Sequence, residues 1–169
     1  MKLDIGCGPK KAPGFVGMDR HDYGDTDIIW NVEQYPWPLD DNSCDELRSW
    51  HLVEHLKDLK PFLNEVHRVG KNGALFQFAT PHFSSRDSWN DPTHIQHYSL
   101  HFTDIFTDGY LKGQWGNFEL VDRRLSFGSF LYTWRSRLIF KVIGAKHWEK
   151  FFAWRHPASA IYVTLKVVK

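Results

Sequence analysis

The chain has 169 residues, 21 Lys and Arg against 20 Asp and Glu, and 10 His. This length suits one domain. No apolar run approaches the ~18 residues needed to span a bilayer, and the N-terminus lacks the apolar region of a signal peptide. The two cysteines, Cys7 and Cys44, make no disulfide framework and point to a reducing cytoplasm. Charge is unevenly spread: residues 1–58 carry 12 acidic and 6 basic side chains, and residues 103–169 carry 11 basic and 5 acidic. Such polarity hints at an anionic partner for the back of the chain.

Leu3-Asp4-Ile5 reads as a short buried strand running into Gly6-Cys7-Gly8, and Phe15 to Asp19 as a second strand ending in a carboxylate. Further strands are expected at 27–30, 46–50, 73–79, 118–121 and 160–165. Leu59, Phe62, Leu63 and Val66 follow i, i+3, i+4, i+7 spacing, which predicts a helix over 58–69. Asp58 can cap it, Pro61 fits its first turn, and Gly70 suits the position just past its end. Residues 134–155 predict one or two basic aromatic helices broken at Gly144, with an apolar stripe of Leu138, Ile139, Val142 and Ile143. Strands alternating with helices imply an α/β domain around a mostly parallel sheet. We read 1–169 as a single domain, with a ligand-binding front half over 1–80, an insertion and basic helices over 81–157, and a final strand over 158–169.

Glycines after the first strand allow close backbone approach to a ligand. A carboxylate ending the second strand can accept hydrogen bonds from ribose hydroxyls. The dinucleotide pattern is not met: Lys11 replaces the third glycine, and Asp19 lies 13 residues after Gly6, against about 20 in such sites.

Leu3-Asp4-Ile5-Gly6-Cys7-Gly8 resembles motif I of class I S-adenosylmethionine-dependent methyltransferases. Four later segments resemble the same family, in order. They are Pro36 to Asp45 (PWPLDDNSCD), His51 to Leu56 (HLVEHL), Glu65 to Gly73 (EVHRVGKNG), and Asp91-Pro92-Thr93-His94. The last is similar to a segment of a bacterial and archaeal type 11 subgroup. The resemblance implies a Rossmann-like sheet of about seven strands with a trimmed N-terminus, a shortened first crossover and a partly antiparallel last hairpin. It implies S-adenosylmethionine as cofactor, with Asp4, Gly6, Cys7, Gly8, Asp19, Asn31, Val32 and His51 around it. Gly6 and Gly8 would face its methionine part, Asp19 its ribose, and Asn31 its adenine.

His51-Leu52-Val53-Glu54-His55 also matches a zinc-peptidase pattern, which requires both imidazoles on one helical face. Its place at a strand end favours the cofactor reading, and no metal ligand is assigned. His82, Asp91, His94, His97 and His101 follow the fifth strand, where an acceptor is expected. Three readings stand open: acceptor binding or general-base catalysis, a metal site, or a structural turn built by Asp91 and Thr93. The catalytic set read from this cluster is His94 as preferred base, then His97, with Asp91 and His82. Residues 134–155 combine Trp134, Trp148, Phe151, Phe152 and Trp154 with six Lys and Arg. That composition suits core packing with solvated cations, an anionic acceptor, or peripheral contact with the inner membrane surface.

The expected function is methyl transfer to a small-molecule acceptor, anionic or membrane-associated, in the cytoplasm, with a homodimer as one arrangement and no nucleic-acid partner. The alternatives are a non-catalytic cofactor-binding or regulatory module of the same fold, and a metal-dependent hydrolase using the histidine cluster.

Overall fold

The computed structural model describes residues 1–128 and 130–169, the side chains of 130–133 excepted. Its strands are β1 (Lys2–Ile5), β2 (Val16–Asp19), β3 (Ile28–Ile29), β4 (Cys44–Trp50), β5 (Gly70–Pro81), β6 (Phe118–Ser126) and β7 (Ala160–Val167). They form one sheet in the order β3-β2-β1-β4-β5-β7-β6. Strands β1 to β5 pair in parallel, and β7 lies antiparallel to both β5 and β6. The helices are α1 (Leu59–Val69), α2 (Asp87–Asn90), α3 (Asp104–Thr107), α4 (Phe130–Ile143) and α5 (Ala145–Phe151), with a 3₁₀ turn at Val53–His55. The mostly parallel α/β sheet agrees with the sequence reading.

Helix α1 forms as its pattern predicts. Phe62, Leu63, Val66 and Val69 are buried against the sheet, and Asp58 accepts the Lys60 N–H at the N-terminus. Phe62 packs edge-on to Trp37, and its ring centroid lies 6.0 Å from that of Phe76 on β5. Gly70 does follow the helix, but not in the left-handed conformation, since its φ is −69°. It is needed because a Cβ there would lie 2.9 Å from the Val66 carbonyl and 3.0 Å from Val167 Cγ2.

The first crossover, residues 6–15, contains no helix. Register pairs Asp4 with Arg48, Arg48 with Gln77, Gln77 with Thr164 and Thr164 with Asp122. This is a polar row across one face, while the alternate residues Leu47, Phe76 and Leu165 enter the core. Arg48 reaches Asp4 at 3.1 Å and stacks over Phe15 and Trp50. A second, smaller apolar cluster joins Phe127, Trp148, Ala153 and Ala158 with Ile139, Phe140 and Ile143.

The expected apolar stripe of the basic helices therefore divides. Ile139 and Ile143 pack inward, whereas Leu138 and Val142 are exposed, Val142 by 74%. The helix break falls at Gly144, as expected, with φ +77°.

Candidate functional site

The carboxyl ends of β1, β2 and β4 meet in a cleft of about 410 Å³ lined by Gly6, Asp19, Asn31, Val32, His51 and His55, among others. That volume falls within the ~300–1,000 Å³ typical of small-molecule sites, and strand carboxyl ends are the usual ligand position in open α/β sheets. A larger hollow of about 870 Å³, lined by Asp104, Lys112 and Glu119, lies at the opposite end of the sheet. It holds none of the motif positions, and we place the site in the smaller cleft.

Local geometry explains the glycine loop. Gly6 takes φ +66°, its N–H donates to the Met18 carbonyl at 2.8 Å, and a Cβ there would stand 2.9 Å from Leu52 Cδ1. Gly8 takes φ +56° and donates its N–H to Asp19 Oδ2 at 3.0 Å. His21 N–H donates to Asp19 Oδ1 at the same distance. The loop thus aims the Asp19 carboxylate at the cleft while leaving each oxygen a lone pair. Asp4 is buried beneath the loop, where it accepts the Ala12 N–H at 2.8 Å and pairs with Arg48. Burial pushes its pKa up against the pull of those two partners. Asp4 therefore braces the loop and does not line the cleft. Cys7 is half-buried, and burial followed by the Asp19 and Asp4 charges raises its pKa. Asn31 lines the cleft and accepts the Glu33 N–H at 3.0 Å through Oδ1.

At the end of β4 the chain turns sharply through His51, whose φ is +54°. Its N–H donates to the Ala79 carbonyl, and Nδ1 lies 3.2 Å from Glu54 Oε1. The Glu54 hydrogen bond raises the His51 pKa, burial opposes it, and the Glu54 and Asp87 charges add to the rise. Glu54 is only 1% exposed. The zinc-peptidase geometry is absent, because the segment is a left-handed residue followed by a 3₁₀ turn and not a helix.

The histidines after β5 do not converge. Residues 91–97 are not helical, so His94 and His97 do not share a face. His94 packs on His55, with ring centroids 4.6 Å apart. His94 Nε2 lies 4.0 Å from Glu54 Oε1 and 3.9 Å from Asp91 Oδ2. His97 stacks on Trp89 at 3.7 Å and bonds Ser88 Oγ. His82 is fully buried between Ser84 Oγ (2.8 Å) and Glu149 Oε1 (2.9 Å), beside Trp148. His101 sits with Asp104 and Arg123. This dispersal removes the footing of a hydrolase built on those five residues. Asp91 holds a tight turn, its Oδ1 accepting both Thr93 N–H and Thr93 Oγ1–H. Thr93 depresses the Asp91 pKa. His94 also lines a shallow hollow with Asp87, Asn90, Asp91 and Pro92, so His55 and His94 stand between that hollow and the cleft.

Glu54, His55 and Thr93 enter the sequence reading within matched segments, the peptidase pattern and a turn, and none of them is given a place around the cofactor there. The mutual packing of the two segments is what gives them a place in the site. Arg20, His21 and Tyr23 also line the cleft. Their one sequence signal is that they directly follow Asp19. In the basic helical segment Trp134, Leu138, Phe151 and Trp154 are exposed, with Arg135 over the Trp134 ring and Lys150 over the Phe151 ring.

The strand order, the glycine loop and the cleft give the chain the fold seen in solved S-adenosylmethionine-dependent methyltransferases. Residues 11–78 match the family described as "Methyltransferase domain". No curated protein sequence matches the chain. Among solved structures, a SAM-dependent methyltransferase from Archaeoglobus fulgidus is 19% identical with a TM-score of 0.66, over 98% of this chain and 85% of that one. An S-adenosylmethionine-dependent methyltransferase from Mesorhizobium loti is 14% identical with a TM-score of 0.63, over 98% and 89%. The [4+2]-cyclase SpnF is 15% identical with a TM-score of 0.62, over 99% and 74%. Fold alone therefore does not name the reaction.

Proposed function

We propose that the protein transfers a methyl group from S-adenosylmethionine to a small-molecule acceptor. The observation that carries this reading is the convergence of Gly6, Asp19, Asn31, Val32 and His51 on one cleft at the strand carboxyl ends. Gly6 and Gly8 offer backbone to the methionine part of the cofactor, and Asp19 accepts from the ribose. Asn31 and Val32 flank the adenine, while Asp4 and Cys7 act through the loop they hold. His51 borders the reacting end. When bound, the cofactor supplies an electrophilic methyl group on a sulfonium.

The protein's main task is alignment of an acceptor lone pair with that methyl, and such alignment can supply ~7–11 kcal/mol of the barrier. A hydroxyl or amine acceptor must also lose a proton. The Glu54, His55 and His94 cluster stands where that proton would leave, with His94 the proton acceptor and Asp91 beside it. His97 and His82, held by Trp89 and Glu149, support the surrounding loop.

Calorimetry of S-adenosylmethionine binding, followed by a methyl-transfer screen over sugars, lipids and small metabolites, tests the reading. No cofactor binding would overturn it. Binding without turnover on any acceptor would favour the non-catalytic module.

We also propose that residues 134–155 face an anionic acceptor or anionic lipid, with the protein acting in the cytoplasm. No helix among the described residues is long and apolar enough to cross a membrane, but Phe151 and Trp154 are more than 60% exposed, and Lys150 lies over the Phe151 ring. Interfacial segments share this composition. Liposome sedimentation at low salt should show binding only with anionic lipid, and equal partitioning with neutral lipid would count against it.

A further inference from the structure

We infer that Glu54, His55 and His94 form a site for one divalent transition-metal ion. One ligand atom from each residue falls within 4.8 Å of the other two. A bound ion with bonds of ~2.0–2.2 Å would draw tetrahedral donors to about 3.3 Å apart, so closure brings the donors together by up to about 1.5 Å.

The surroundings of each residue fit this role. A metal-binding imidazole commonly donates its other N–H to a carbonyl or carboxylate, which fixes the tautomer and frees the ligating nitrogen. His55 Nδ1 lies 3.2 Å from the Thr93 carbonyl. His94 Nδ1 lies 3.3 Å from the Ser88 carbonyl. Assigning both Nδ1 atoms as donors leaves both Nε2 lone pairs free. Glu54 is 1% exposed, and its Oε2 has no hydrogen-bond partner. An unpaired buried oxygen is costly, and a cation would satisfy it. The other oxygen, Oε1, lies 3.2 Å from His51 Nδ1 and 4.0 Å from His94 Nε2, so the carboxylate has an oxygen facing the histidines as well as an unpaired one. The two segments are also fastened together, because the Ile95 and Gln96 N–H groups donate to the Glu54 carbonyl at 2.9 and 3.1 Å.

Two imidazoles and a carboxylate suit Zn, Mn, Fe or Co better than Mg or Ca, which prefer all-oxygen sites. Three protein ligands leave a coordination position open, as in catalytic metal sites. In the methyl-transfer reading, on which this role rests, the open position takes the acceptor oxygen. Coordination would lower the pKa of that hydroxyl, so its proton would pass to solvent water while His94 holds the ion; in the metal-free protein His94 remains the proton acceptor.

The test uses the full chain, stripped with chelator and titrated with Co²⁺ as a spectroscopic probe. One equivalent should bind with visible absorption bands. His94→Ala and His55→Ala should each weaken binding at least tenfold, while His67→Ala, whose imidazole bonds the Val168 carbonyl at the opposite end of the sheet, should leave it unchanged. Zn²⁺ should raise Tm in the parent protein and not in His94→Ala, and circular dichroism confirms that each variant folds. No bound Co²⁺ in the parent protein would overturn the site, as would unchanged binding in both His94→Ala and His55→Ala. Calorimetry with S-adenosylmethionine on the same preparations separates the two proposals. Cofactor binding without Co²⁺ binding overturns the metal site alone, and the reverse overturns the methyl-transfer reading alone.

Discussion

At the scale of single residues, the two glycines of the loop make a controlled comparison. Both hold positive φ, but a side chain at Gly8 meets nothing within 4 Å, whereas one at Gly6 meets Leu52 at 2.9 Å. A left-handed non-glycine residue costs ~1–2 kcal/mol. Gly8→Ala should lose about that much in chemical denaturation, and Gly6→Ala should lose more, with displacement of Leu52 into the cleft. Equal losses would show that the close approach is unimportant. Asp19→Asn retains the volume but removes the charge and one acceptor from a carboxylate already holding two N–H groups. S-adenosylmethionine affinity should fall at least tenfold, in line with ~1.5–3 kcal/mol for a hydrogen bond to a charged group. An affinity unchanged by calorimetry would remove Asp19 from the site.

At the scale of elements, α1 does two jobs that its periodicity does not reveal. Its outer turn carries Glu65 and Arg68. Arg68 bonds both Glu65 oxygens at 2.7 Å and reaches the Leu39 and Trp37 carbonyls at 2.8 and 3.1 Å. Glu65 in turn accepts the Trp37 N–H. The helix therefore clamps the Pro36–Asp41 segment, which approaches the cleft through Val32, whose carbonyl accepts from the Trp37 indole. Arg68→Ala leaves Glu65 buried without its cation. A loss of roughly 3 kcal/mol is expected, the lower end for breaking such a pair. Protease sensitivity should rise around residues 33–43. Asp58→Ala removes only a cap and should cost ~1 kcal/mol. If the two variants melt alike, the clamp is not a major support.

At the scale of the whole molecule, Glu149 ties the basic helical segment to the sheet. It joins His82 at the end of β5 with the Leu100 N–H. Burial pushes its pKa up, but His82, the Leu100 N–H and the His101 charge together pull it below its ordinary value. A depressed carboxylate contributes stability that is complete above its unfolded pKa of ~4.3 and is lost as pH falls through the folded value. Melting temperatures should therefore drop below about pH 4.5. Glu149→Gln should flatten that limb and lower Tm at neutral pH. An acid limb of unchanged slope in the variant would assign the loss to other carboxylates. The charge polarity of the chain gains a location at this scale. Asp19 stands in the cleft, while the cations of 134–155 line an exposed surface beyond the second apolar cluster.

Much of the architecture is legible without coordinates because its signals are local. A glycine pair after an apolar triplet, a carboxylate ending the next strand, and an i, i+3, i+4 helix each depend on neighbours a few residues away. The sequence by itself determined the parallel α/β class, the helix with its Asp58 cap, the short first crossover and five positions of the cleft lining, Gly6, Asp19, Asn31, Val32 and His51. Tertiary structure decided the fate of the histidines. His82, His94, His97 and His101 lie within twenty residues of one another, yet their partners are Glu149, Glu54, Trp89 and Arg123. Glu149, Glu54 and Arg123 lie more than twenty residues from the histidines they meet, and no spacing rule reaches that far. The same holds for Gly70 and Arg48, whose roles are set by Val167 and by the cross-strand row. Backbone preference acts over a few residues, whereas side-chain partners are chosen by packing between distant parts of the chain.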